Sequence, residues 1–195
     1  MSGAGSTQSK IYERRAAIFS ISKDYASSER QATSPPVIAV CGLKNSGKTT
    51  VLCGLIPFLR DQGLKVAVAK HDGHDFVPDV PGTDSFRFRE AGAETVAVFS
   101  SSRYLLTVER PETTFDTVLD HLRDADLILL EGGKSSLFPK IEVIRGEIDS
   151  RSVCDPETLL AVCTDLDFSL PGIPLVALTD YQGLARIILW YIRGY

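Results

Sequence analysis

The sequence predicts an α/β fold in which a mostly parallel central sheet is covered by helices on both sides. Three observations carry that prediction. Short apolar, β-branched segments alternate with amphipathic stretches from Val37 onward. One segment, Leu127–Leu130, is wholly apolar, as a strand buried on both faces must be. A glycine-rich loop, Gly42–Thr49, stands where a strand ends and a helix begins.

The elements follow in order. Val37–Cys41 reads as the first strand, followed by the loop and a helix to about Asp61, which Gln62-Gly63 ends. Lys65–Lys70 is the second strand, and 71–83 form a polar loop. Asp84–Ala91 is helical, with Gly92 as its stop, and Asp84 as either its N-cap or a site residue. Thr95–Phe99 is a strand, and Tyr104–Glu109 alternates as a strand near the sheet edge. Thr113–Arg123 is a helix capped by Thr113 or Thr114. Ile141–Ile144, Leu159–Cys163 and Leu175–Leu178 add strands. Tyr181–Tyr195 closes the chain as an amphipathic helix bearing Leu184, Ile187, Ile188 and Ile192. That helix, with Trp190 and Tyr191, either packs on its own sheet or serves association.

Size and composition bound the rest. The chain has 195 residues, 44% of them hydrophobic, enough for one domain with a buried core. Residues 1–36 contain no Leu and no Val and end in Ser34-Pro35-Pro36; they read as a poorly ordered extension in which Ile18–Ile21 docks at most as a short strand. Residues 37–195 read as the folded domain, which carries the glycine-rich loop. A net charge of −4 argues against nucleic acid or an anionic membrane as partner. No apolar run approaches a membrane span, and the N-terminus carries no apolar signal core. Four cysteines stand at 41, 53, 154 and 163 without a C-x-x-C pair, with Cys41 and Cys53 in predicted core elements. They read as small buried hydrophobes of a cytoplasmic protein, not as disulfides or a zinc site.

The chemistry concentrates in three places. Gly42-Leu43-Lys44-Asn45-Ser46-Gly47-Lys48-Thr49 matches G-x-x-x-x-G-K-[ST] without mismatch. With its flanking strand and helix it predicts a P-loop NTPase three-layer sandwich. Gly42, Lys44, Asn45, Ser46, Gly47, Lys48, Thr49 and Thr50 are the candidate nucleotide-binding residues. Lys48 sets a charge near the outer phosphates, and the Thr49 hydroxyl reaches Mg2+. The second place is the apolar strand ending at Glu131-Gly132-Gly133. Its carboxylate resembles a Walker B acid that holds Mg2+ or orients the attacking water. Thr49 and Glu131 are thus the candidate metal residues. The third is the stretch from His71 to Asp84, with His71, Asp72, His74, Asp75, Asp79 and Asp84. It reads as a switch-like loop, a metal cluster or a solvated loop. Asp72 and Asp84 join Glu131 as candidate catalytic acids.

These residues together resemble the MobB family of molybdopterin-guanine dinucleotide biosynthesis adapter proteins, from about Pro36 to Asp165. Four pieces carry the likeness: Val40–Thr50; Lys70-His71 with His74-Asp75-Phe76; Pro81–Ser85 leading to Arg89–Ala93; and Leu130-Glu131-Gly132 with Lys134, then Phe138–Val143. The resemblance implies a GTP-binding, usually dimeric P-loop protein. It implies as partner the molybdenum cofactor guanylyltransferase, which joins GMP to molybdopterin, and at most slow GTPase activity. Two features depart from the family: the leucine-free extension, and Gly133 where the family tends to carry a bulky aromatic. No N-K-x-D tetrad marks guanine recognition. Asp165 is the best placed acceptor for the guanine edge, or else a turn residue. A small-molecule kinase or ligase of the same class, and a metallochaperone GTPase, remain the rival readings.

Overall fold

The computed structural model describes residues 34–74, 76–167 and 170–194. The segment Ile18–Ile21, nearly all of the expected extension, and Asp75 lie outside the described residues. In chain order the elements are β1 (Val37–Cys41), α1 (Lys48–Asp61), β2 (Val66–Lys70), α2 (Asp84–Glu90), β3 (Thr95–Phe99), β4 (Tyr104–Val108), α3 (Phe115–Asp120), β5 (Leu127–Glu131), β6 (Lys140–Ile144), β7 (Leu159–Thr164), β8 (Leu175–Ala177) and α4 (Tyr181–Arg193). They form two compact units: residues 72–118 make one, and the described residues up to His71 and from Leu119 onward make the other.

The larger unit holds a six-stranded sheet in the order β2-β5-β1-β6-β7-β8, parallel at every pairing. Every residue of β5, β6 and β7 is buried, as a central parallel strand requires. Alternate residues build the core: Ile38 and Val40 of β1, Leu127 and Leu129 of β5, and Ile141 and Val143 of β6 share one hydrophobic cluster. That is the period of two that a pleated strand imposes on its side chains. Helix α1 answers with Val51, Leu52, Leu55 and Leu59, at helical spacing. Helix α4 joins the same cluster through Leu184, Ala185, Ile188 and Tyr191, so the apolar C-terminal helix packs on its own chain. Gly54 of α1 makes this approach close: a Cβ there would stand 2.4 Å from the Tyr181 ring.

Cys53 differs from expectation. It is exposed, because the buried stripe of α1 runs through 51, 52, 55 and 59 and leaves position 53 on the opposite side. Cys41, Cys154 and Cys163 are buried, and burial pushes the Cys163 thiol up to about 12. Iodoacetamide at mildly alkaline pH should therefore label Cys53 first, since only a thiolate attacks. Peptide mass spectrometry checks this; equal labelling of Cys53 and Cys163 would contradict it.

In the smaller unit, β3 and β4 pair with each other, antiparallel, as a ribbon of their own rather than at the edge of the main sheet. The sequence separation explains this. Only 100–103 lie between them, a hairpin length, and Ser100 N donates to Arg103 O across the turn at 2.8 Å. Arg89 of α2 ties the unit together: its Nε donates to Asp79 Oδ2 at 3.1 Å and its Nη1 to Glu109 Oε1 at 2.6 Å. Helix α3 is shorter than expected. Thr114 Oγ1 caps it, accepting from Thr117 N at 3.2 Å, and the chain tightens into turns beyond Asp120, where Leu122 N donates to Leu119 O at 2.9 Å.

Candidate nucleotide site

The glycine loop leaves β1 in a conformation that only glycine tolerates. Gly42 has φ of 135°, and a Cβ on it would lie 2.3 Å from the carbonyl oxygen of Val143 on β6. Asn45 also adopts positive φ, 66°, a left-handed geometry in which asparagine is among the least strained residues. Helix α1 starts at Lys48 behind a left-handed N-cap, Gly47, which offers no side-chain acceptor to the first amides. The helix N-terminus therefore presents N–H donors and the positive end of its dipole to an anion. Lys48 Nζ folds over the loop, donating to Leu43 O at 2.7 Å and Gly42 O at 3.3 Å.

Glu131 ends β5, in register with Val40 of β1 on one side and Lys70 of β2 on the other. Strand pairing thus delivers its carboxylate beside the loop. Thr49 Oγ1 lies 3.1 Å from Glu131 Oε1 and 3.0 Å from Oε2, with the hydroxyl as donor. Lys70 Nζ stands 3.7 Å from Oε1. Behind the acid, His71 N donates to Glu131 O, Gly132 N donates to Val40 O, both at 2.9 Å, and the Cys41 thiol donates to Gly132 O at 3.0 Å. Gly133 has φ of 67°, backbone that favours glycine. The residues fit the groups they are expected to hold. Magnesium takes oxygen ligands and is commonly held by one or two protein oxygens plus substrate phosphates, and Thr49 with Glu131 offers that set.

The other expected residues distribute differently. Asp165, at the end of β7, is exposed, and its Oδ1 accepts from Gly146 N at 2.8 Å, so one oxygen is committed to the turn after β6. Asp72 and Asp84 belong to the smaller unit, and both are exposed. Asp84 is not the N-cap of α2. Thr83 is, through Oγ1 accepting from Phe86 N, and Asp84 stands one residue inside, 3.9 Å from the Arg87 guanidinium. Among the described residues no three His, Cys, Asp or Glu side chains converge on a metal position.

Sequence reasoning missed three charged residues on β6 and directly after it. Lys140 and Glu142 alternate with Ile141 and Val143 along β6, and both are 0% exposed. Lys140 donates to the carbonyls of Ser136 and Phe138, and its burial lowers its pKa. Glu142 accepts from Ser152 Oγ and Val153 N, each at 2.6 Å, and pins the loop after β6. Arg145 follows β6 directly, and its Nε is buried without a hydrogen-bond partner. The only sequence signal was position, at the carboxyl end of a strand.

Comparison with known proteins agrees with this architecture. The family model described as "Molybdopterin guanine dinucleotide synthesis protein B" matches residues 37–165. The molybdopterin-guanine dinucleotide biosynthesis adapter protein of Escherichia coli (strain K12) is 33% identical over 172 residues, covering 83% of this chain and 95% of the relative. The protein of the same name from Haemophilus influenzae is 35% identical over 136 residues, covering 67% and 75%. The crystal structure of Bacillus subtilis MobB superposes with a TM-score of 0.66 at 26% identity, covering 82% of this chain and 99% of that one. No helix among the described residues is long and apolar enough to cross a membrane. With a strand-to-helix phosphate loop, an adjoining threonine–glutamate pair and a family match across most of the folded chain, the protein belongs to the MobB family of nucleotide-binding P-loop proteins.

Proposed function

We propose that this chain is a GTP-binding adapter that assists the attachment of GMP to molybdopterin by engaging the molybdenum cofactor guanylyltransferase. A slow, Mg2+-dependent GTPase activity belongs to the same reading. The observation that carries it is the pairing of Thr49 with Glu131 at the mouth of the glycine loop. The adapter name borne by the Escherichia coli and Haemophilus influenzae relatives supports the pathway.

In this reading the loop amides from Lys44 to Thr50 cradle the phosphates, and Lys48 adds charge at the outer ones. Thr49 and Glu131 would hold Mg2+. Bound magnesium neutralises charge on the β- and γ-phosphates. Glu131 stays close through its strand register with β1 and would orient the attacking water. Asp165 is the candidate acceptor for the guanine edge. Asp72 and Asp84 lie in the other unit, and the proposal does not call on them. A homodimer, acting in the cytoplasm, is the expected assembly.

Calorimetry with GTP and ATP, with and without Mg2+, tests the nucleotide assignment. GTP should bind at least about tenfold more tightly than ATP, because a site built to hydrogen-bond one base leaves polar groups unpaired with the other. Glu131→Gln should raise the Mg2+ concentration needed for tight GTP binding while leaving Mg2+-free binding near the wild-type value. Equal affinity for the two nucleotides would remove guanine, and an unchanged Mg2+ requirement would remove Glu131. Co-precipitation with purified guanylyltransferase in the presence and absence of a non-hydrolysable GTP analogue tests the partner. No complex under either condition would refute the adapter role.

A further inference from the structure

Two buried polar groups beside the phosphate loop have no partner. Ser46, 1% exposed, carries an unpaired Oγ, and Arg145 carries an unpaired Nε. Both line one small cavity, together with Leu43, Glu142 and Asp149. The acids of that cavity are already committed. Glu142 accepts from Ser152 Oγ and Val153 N. Asp149 accepts from Arg151 Nη2 at 2.8 Å, and that guanidinium holds its carboxyl down to about 2. A guanidinium stays charged throughout the range proteins tolerate, and a buried donor without an acceptor costs free energy. No ion pair satisfies Arg145 among the described residues, so its placement needs another explanation.

The geometry supplies one. Arg145 Nη2 lies 3.2 Å from where a Cβ on Gly47 would stand, with Cζ at 3.8 Å and Nε at 3.9 Å. The guanidinium therefore lies along the N-cap of α1, against the phosphate loop itself. Sheet order decides which flank this is. β5, carrying Glu131, and β6, leading into Arg145, lie on opposite sides of β1. The Lys and Thr of such loops serve the outer phosphates and magnesium, and here Thr49 is bonded to Glu131 on the β5 flank. The β6 flank is left to the inner part of the nucleotide.

We infer that Arg145 is a nucleotide-binding residue that contacts the inner end of the bound nucleotide, its α-phosphate side, from the flank opposite Glu131. The inference rests on the nucleotide reading above and deepens it. Arg145 offers a planar fork of donors suited to a phosphate oxygen pair, which a lysine cannot reproduce.

The test is calorimetry of GDP and GTP, with Mg2+, on wild type, Arg145→Gln and Arg145→Lys, alongside thermal melting of each protein without nucleotide. Arg145→Gln should weaken GDP and GTP by the same factor, about 10- to 100-fold, the worth of one charge-assisted contact. Arg145→Lys should recover only part of that loss. Melting temperatures without nucleotide should stay at or near wild type, because no hydrogen bond of the half-buried arginine's Nε is lost; a structural arginine would lower them. Wild-type affinity in Arg145→Gln overturns the inference while leaving the nucleotide reading intact. Loss confined to GTP overturns it too, by moving the contact to the outer phosphate. If wild type itself binds neither nucleotide, the nucleotide reading falls and this inference with it.

Discussion

Replacing Gly42 with alanine should destabilise the protein by about 3 kcal/mol and abolish nucleotide binding. Two costs add at this position. The backbone holds φ at 135°, a region that L side chains rarely enter, and strain of this kind costs about 1–3 kcal/mol. The new methyl would stand 2.3 Å from Val143 O, a backbone atom of a fully buried central strand. That strand cannot withdraw without breaking its register with β1 and β7. The loop must move instead, and its amides then lose their common direction. Thermal melting should fall by roughly 6–12 °C for a chain of this size. Gly63→Ala is the control. It too has positive φ, 83°, but nothing lies within 4 Å of its Cβ, so it should cost only about 1 kcal/mol and leave binding intact. Equal effects of the two substitutions would show that the close approach to Val143 contributes nothing.

Lys48→Ala should have a large effect on function and, unlike the Gly42 substitution, a small one on stability. The Nζ is held by two loop carbonyls, Leu43 O at 2.7 Å and Gly42 O at 3.3 Å, so its charge is placed over the loop before any anion arrives. That preorganisation spares the ordering entropy a free lysine would lose on binding. Two charge-assisted contacts to phosphate oxygens, each worth about 1.5–3 kcal/mol, correspond to a loss of at least about 100-fold in GTP affinity. The two carbonyls left behind are partly accessible to water, so stability should change by no more than about 1 kcal/mol. Calorimetry and thermal melting on the same preparations check both halves. Wild-type GTP affinity in Lys48→Ala would remove the phosphate loop from the mechanism.

Much of this site was readable because its parts are local. A glycine–lysine–threonine loop between a strand and a helix needs no distant contact to be recognised, and Lys48, Thr49 and the loop glycines stand where the motif puts them. Glu131 was readable for a different reason: an apolar run ending in a carboxylate implies a central strand, and parallel strands deliver their carboxyl ends to one edge. For Asp84 the choice between cap and site residue stayed open, because Thr83 and Asp84 are both good cap residues and only backbone geometry selects Thr83. The edge placement of Tyr104–Glu109 failed because alternation shows that a segment is a strand without naming its neighbour. Lys140 and Glu142 were invisible as buried charges, since their partners, Phe138 O and Ser152 Oγ among them, come from irregular loops.

Hydrophobic period, glycine placement and one loop motif are properties of contiguous residues, so the α/β class, the order of elements and the phosphate cradle follow from the chain read in one dimension. Which side of the cradle each charge occupies is a consequence of strand order, β5-β1-β6, and strand order comes from pairing between segments as much as 101 residues apart, as Val40 and Ile141 are. Long-range packing alone turned Arg145 from an ordinary residue after a strand into a half-buried cation whose Nε is enclosed beside Gly47. Burial and hydrogen-bond satisfaction depend on neighbours that sequence spacing does not specify.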